Sequence, residues 1–112
     1  MTNGDLVMDT RKKARLEAAG FKFGDAGDFL ELSDAERAVV AMRVSLARRL
    51  RERRMKAHLS QTELAKRLRS SQSRVAKMEA GDASVTLDLL IYGLLAMGAD
   101  RREVGKVLAG AA

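Results

Sequence analysis

Apolar residues recur every three or four positions along most of this chain, and the breaks in that rhythm mark out short helices. Leu64, Ala65 and Leu68 line one face of a segment that starts at Gln61, and Val75 and Met78 line one face of a segment that starts at Gln72. Such spacing is the mark of a helix with one buried side. Ser60 with Glu63 three residues on makes a capping box, in which hydroxyl and carboxylate satisfy the first free backbone N–H groups. Ser71 stands where it caps the second segment. Gly81, which accepts positive φ, ends it. The pattern predicts a helix from Gln61 to about Leu68, a tight turn through Arg69 and Ser70, and a second helix from Gln72 to Glu79.

The same reading extends to both sides. Ser33 and Glu36 form another capping box, and the helix behind it is expected from Asp34 to about Lys56. Val39, Val40, Leu46, Ala47 and Leu50 supply its apolar side, and Arg43, Arg48, Arg49, Arg51, Arg53 and Arg54 make the remainder an arginine-rich surface. His58 falls where this helix must turn into the next, and is expected as a positive-φ turn residue rather than a ligand or acid-base group. Downstream, Thr86 caps a helix from Leu87 to about Met97 that is apolar almost all round. Leu87, Leu90, Ile91, Leu94 and Leu95 read as core, with Leu89 and Tyr92 left for another contact. Gly98 ends that helix, and Asp100 caps a last one from Arg101 to about Leu108. Its Val104, Val107 and Leu108 share a side, and an apolar face left there would suit a two-fold contact between copies.

Residues 1–32 read differently. Residues 1–8 have no period and are expected to be frayed. Either Asp9 or Thr10 can cap a short helix to about Ala19, which Gly20 ends. All three phenylalanines, Phe21, Phe23 and Phe29, then fall among Gly24, Asp25, Gly27 and Asp28 in a stretch expected to be mostly loop. Two roles fit them: rings that cover the bottom of the helical core, or an exposed arm that buries against a protein partner. The expected organisation is an N-terminal appendage over 1–32 and an all-α, five-helix domain over 33–112. Absent proline and scarce aromatics agree with helices throughout.

Composition narrows the chemistry. The 112 residues suffice for one modest core. There is no cysteine and a single histidine, so neither a disulfide framework nor a thiolate or multi-histidine metal site is available. No apolar run approaches the ~20 residues of a membrane span, and the N-terminus lacks a secretory signal; a soluble, cytoplasmic protein is expected. Neither a glycine-rich phosphate loop nor a histidine beside a nucleophile occurs, so no enzyme, cofactor or metal is expected.

Charge is what changes the picture. Of 21 Lys and Arg, 12 fall within residues 41–81 against 3 Asp and Glu, a balance of +9, whereas residues 1–40 carry −2 and residues 82–112 carry −1. The excess therefore sits on the two short helices and the helix before them. On the second of these, Gln72, Ser73, Arg74 and Lys77 lie off the apolar face and form a donor-rich ridge suited to base edges in a major groove. Glutamine bonds adenine N6 and N7 together, and lysine donates to guanine O6 and N7. A basic surface confined to that element is the electrostatic footprint of phosphate binding.

The stretch from Leu50 to Leu95 resembles the helix-turn-helix of the phage-repressor-like, XRE-type regulators. Leu59, Ser60, Gln61, Glu63, Leu64, Ala65 and Leu68 supply the family's L-S-Q-x-E-L-A-x-x-L, and Ser71, Gln72, Val75, Glu79 and Gly81 supply its looser second half. The resemblance implies a buried pair between Arg54 and Glu79 that locks the second helix to its scaffold. It implies that Gln61 meets a phosphate or a neighbouring base, while Gln72, Ser73 and Lys77 face the major groove; Arg74 reaches either a base or a phosphate. Ser60, Lys66 and Arg69 are expected as phosphate or flanking contacts. Arg69 stands where the family usually has glycine, and Ser70 where a small apolar residue is usual. The order of an N-terminal segment, a basic helix-turn-helix and a C-terminal helical pair is also similar to HigA-type antitoxins, which bind a small toxin nuclease and repress their own operon. The expected partner is thus double-stranded DNA, a pseudo-palindromic operator bound by a homodimer, with a cognate toxin as a further partner. The rival expectation is a protein-binding inhibitory module whose DNA contact is secondary.

Overall fold

A computed structural model describes residues 31–110, and among these it holds five α-helices and no strand. They are α1 (Asp34–Lys56), α2 (Gln61–Leu68), α3 (Gln72–Ala80), α4 (Leu87–Ala96) and α5 (Arg101–Leu108). The helix expected before Gly20, Phe21, Phe23, Phe29 and residues 111–112 lie outside the described residues. None of the described helices is long and apolar enough to cross a membrane.

Each helix begins where its cap dictates. The side chains of Ser33, Ser60, Ser71, Thr86 and Asp100 each accept a hydrogen bond from the backbone N–H three residues on. Such a cap contributes about 1 kcal/mol. Both capping boxes are complete: Glu36 accepts from the Ser33 N–H at 2.7 Å, and Glu63 from the Ser60 N–H at 2.8 Å. Glycine at position 81 ends α3 at φ 68°. His58 at φ 58° and Arg69 at φ 55° take the same left-handed conformation without glycine's freedom. The expected boundaries hold to within one residue, α3 running on to Ala80 and α4 stopping at Ala96.

α1 is the spine of the fold and packs against α3, α4 and α5, while α2 packs on α3 and α4. Leu46, Leu50, Leu64, Val75, Met78, Val85, Leu90 and Leu94 are fully buried at the centre. Three apolar assignments change. Val39, expected on the apolar side of α1, is 38% exposed, because the buried residue of that turn is its neighbour Val40. On α4, Leu95 is 42% exposed and joins Tyr92, 51% exposed, at the surface. The face of α4 is set by Gly93, whose backbone comes so close to the core that a Cβ there would lie 3.0 Å from Met78 Cε and 3.4 Å from Leu50 Cδ1. Turning that narrow face inward carries Leu95 outward. On α5 the apolar side is used up by the core, since Val104 and Val107 are buried and Leu108 packs against the cluster. The face expected there for a second copy is not left open.

The arginine-rich surface of α1 is also smaller than its sequence suggests. Arg53 forks onto Glu103 of α5, with Nε 2.8 Å from Oε2 and Nη2 bonded to Oε1, while Nη1 donates to the Met97 carbonyl at 3.1 Å. One side chain thus ties the end of α1 to both C-terminal helices. Arg49 stands 3.7 Å from the same carboxylate, and Arg43 is half-buried, a burial that pulls its guanidinium pKa down against the charge of Asp82.

The hydrogen bonds from Arg53 hold the Glu103 carboxyl below the usual carboxylate range, with the charges of Arg53, Arg49 and Lys56 acting in the same sense. A carboxylate whose folded pKa is depressed contributes stability above its unfolded pKa and loses it as pH falls through the folded value. Thermal unfolding followed by circular dichroism is therefore expected to show a midpoint that is steady near neutral pH and falls on acidification through and below the carboxylate range. Glu103→Gln should lower the midpoint at pH 7 and flatten that acid slope; identical acid slopes for the two chains would contradict the assignment.

Candidate nucleic-acid interface

Three elements meet where α1 ends. Arg54, in the last turn of α1, forks onto Glu79 near the end of α3, Nε to Oε2 at 2.5 Å and Nη2 to Oε1 at 3.0 Å. Its remaining Nη1 donates to the Leu59 carbonyl at 2.7 Å, just before α2. The side chains of Arg54 and Glu79 are only 13% and 4% exposed. Desolvation disfavours the charge on Arg54, but the hydrogen bonds to Glu79 outweigh it and raise its pKa above the ordinary value. The buried pair expected from the sequence is therefore present, and it fastens α3 to α1 at the point where α2 begins.

The pair does not stop at two residues. Gln61, in the first turn of α2, donates Nε2 to Glu79 Oε1 at 3.1 Å, and Gln72, first residue of α3, donates Nε2 to Gln61 Oε1 at 2.6 Å. An ionised carboxylate only accepts hydrogen bonds, whereas a glutamine amide both donates and accepts. Glu79 therefore obliges Gln61 to turn its NH₂ inward, which leaves the Gln61 carbonyl facing Gln72. Gln72 answers with one N–H and keeps its second N–H and its carbonyl for the exterior. A buried charge thus fixes the polarity of an exposed amide two links away.

The other expected contacts surround this chain of bonds. Gln72, Ser73, Arg74 and Lys77 are all exposed, on the part of α3 turned away from buried Val75 and Met78. Ser73 Oγ lies 3.2 Å from Ser71 Oγ, and Ser71 caps the helix by accepting from the Arg74 N–H at 3.1 Å. Lys66 on α2 and Arg69 in the turn are exposed. Ser60 is exposed too, but its N–H and the Oγ lone pair are engaged with Glu63. Bonds from the Ser60 backbone, then from its hydroxyl, hold the Glu63 carboxyl below its usual range. The structure joins Gln61 and Gln72 to the Arg54 and Glu79 pair, and leaves Lys66, Arg69, Arg74 and Lys77 as surface cations around it.

Sequence reasoning passed over Ala76 and Ala80. They follow Ser73 by three and seven positions, on the same outward stripe of α3, and neither has a side chain long enough to hold a surface away. The signal is their three- and four-residue spacing from Ser73. Small methyls there allow close approach and apolar contact with a thymine methyl.

Residues 50–91 match a family described as helix-turn-helix, a span that covers the end of α1, all of α2 and α3, and the first half of α4. No curated protein and no solved structure matches the chain. The first sixteen residues of α1, residues 34–49, lie outside the family match.

Two outcomes are expected from this geometry. Removing one partner of a buried ion pair strands the other, a loss of roughly 3–5 kcal/mol; Arg54→Met and Glu79→Gln should each show it by urea denaturation, and the double variant should cost clearly less than their sum. Strict additivity would mean that the pair is not coupled. At Arg69, glycine relieves a left-handed conformation that costs a side-chain residue about 1–2 kcal/mol. Arg69→Gly should therefore raise the unfolding midpoint while weakening binding to duplex DNA; a lowered midpoint would contradict the strain.

Proposed function

Since residues 50–91 belong to the XRE-type helix-turn-helix family of DNA-binding regulators, we propose that this chain is a sequence-specific repressor that reads DNA through α3. The observation that carries the proposal is the bonded series from Arg54 through Glu79 and Gln61 to Gln72. It leaves Gln72 with a donor and an acceptor side by side, the pair that complements N7 and N6 of adenine in the major groove. Ser73 and Lys77 extend that ridge, with Lys77 suited to guanine O6 and N7 and Arg74 to a base or a phosphate. Gln61, Lys66 and Arg69 flank it as phosphate contacts, and these position the helix rather than specify the sequence; the donors of Ser60 are taken up by Glu63.

A nine-residue helix spans only a few base pairs, and reading a longer site calls for two copies. We therefore assign the protein as a homodimer on a pseudo-palindrome with half-sites about 34 Å apart. With α5 occupied by the core, the exposed Tyr92 and Leu95 of α4 are the apolar side chains suited to that contact. The antitoxin reading rests on the order of segments and the length of the chain, and the rival reading as a protein-binding inhibitory module on Phe21, Phe23 and Phe29 outside the described residues; the described surface favours DNA as the partner.

Selection of bound sequences from a random duplex pool tests the proposal. The unaltered chain is expected to enrich one pseudo-palindromic motif. Gln72→Ala combined with Lys77→Ala should lose that preference, each contact being worth about 1–3 kcal/mol of discrimination, while helical content stays unchanged. An undiminished preference in the double variant would sink the assignment of α3 as the reader.

A further inference from the structure

α1 has two flanks with different fates. On one, Arg49 and Arg53 are committed to Glu103 of α5. On the other, α1 runs along the end of the reading helix. A Cβ placed on Gly81, the cap of α3, would lie 3.9 Å from Val44 Cα and Cγ2, and Arg54 reaches Glu79 two residues earlier in α3. Between these two anchoring contacts come Arg48 and Arg51, four and seven positions after Val44, a spacing that stacks all three residues along one flank of the helix. Both arginines are exposed, and among the described residues neither enters an ion pair.

The surface beside this flank lacks positive charge of its own. After Lys77, α3 offers only Met78, Glu79 and Ala80, and the connection over residues 81–86 carries Asp82 and no Lys or Arg. The outward stripe of α3, Ser73 to Ala80, therefore ends without a cation to meet the DNA strand at its border. Arg43 meets the charge of Asp82 there, and Arg48 and Arg51 are the exposed cations on the stripe of α1 that starts from Val44.

We infer that the flank of α1 carrying Arg48 and Arg51 is a second phosphate-binding surface, which grips the DNA backbone beside the C-terminal end of α3. The inference rests on the DNA-binding reading of α3 and adds to its footprint. Arg48 lies before the family match and Arg51 just inside it, so this grip straddles the start of the matched motif. The guanidinium fork suits it to phosphate, and among the described residues no ion pair must break before DNA is met.

Non-specific binding is governed by phosphate contacts, so a mixed-sequence 30-base-pair duplex serves as the probe and no operator need be known. Affinities of the full chain are measured from low to moderate salt for three proteins: unaltered, Arg48→Ala with Arg51→Ala, and Arg101→Ala with Arg102→Ala as a charge-matched control on α5. Loss of two phosphate contacts makes the slope of log K against log salt shallower by about 1.8. That change is expected for the α1 pair, with little for the α5 pair. Equal changes in both would reduce the effect to net charge and overturn the inference, as would an unchanged slope for the α1 pair. Failure of the unaltered chain to bind the duplex would overturn the DNA-binding reading itself, and this inference with it. Should the alanine pair lose its helical signal, Arg48→Gln with Arg51→Gln takes its place with the same expectation.

Discussion

A carboxylate almost wholly withdrawn from water has to be met by donors, and in this fold that requirement is Glu79. Arg54 meets it with a bidentate fork and Gln61 with an amide N–H. The donors come from α1 and α2 and the acceptor from α3, so satisfying one buried charge brings together the end of α1, the start of α2 and the end of α3. Such a pair contributes little net stability, because its attraction is spent against desolvation. What it does enforce is geometry. Departing from the arrangement strands a charge, so α3 is held at one angle to its scaffold.

Neighbouring arginines of α1 divide the work of holding the domain together. Arg53 and Arg54 are adjacent in sequence, about 100° apart around the helix, and so reach different rather than opposite neighbours. The first takes Glu103 of α5 and the Met97 carbonyl, and the second takes Glu79 of α3 and the Leu59 carbonyl. α1 thereby clamps the C-terminal pair with one guanidinium and the reading pair with the other. Its exposed cations remain for the outside, and the contrast between Arg49 and Arg53 on one flank and Arg48 and Arg51 on the other is a consequence of this division.

The elements were legible because their signals are local. Ser33, Ser60, Ser71, Thr86 and Asp100 each cap a helix three residues deep, and a pattern of that range survives without knowledge of the fold. The strain at Arg69 was legible only through the family resemblance, which has glycine there, while the positive-φ turn at His58 was legible locally. Contacts between distant residues were not. Arg53 and Glu103 stand 50 positions apart, and nothing local distinguishes Arg53 from the five other arginines assigned to the surface of α1. The pair of Arg54 and Glu79 was reached only through family resemblance. On α4 the near-continuous apolar sequence gave no phase, and Leu95 was assigned to the core; the informative residue was Gly93, whose missing side chain marks the closest approach. The polarity running from Glu79 to Gln72 required three-dimensional adjacency of residues that sequence had placed in separate roles.

The central claim is that the buried carboxylate of Glu79 orders the exposed amide of Gln72. It is tested most directly by NMR on the side-chain amide of Gln72, comparing the unaltered chain with Glu79→Gln under conditions where both remain helical. A glutamine at position 79 can donate as well as accept, so it no longer dictates which way Gln61 turns. The account expects the Gln72 NH₂ group to be restricted in the unaltered protein, with one N–H protected and distinct from the other, and to become freely mobile in the variant. Equal mobility of the Gln72 amide in the two proteins would contradict it.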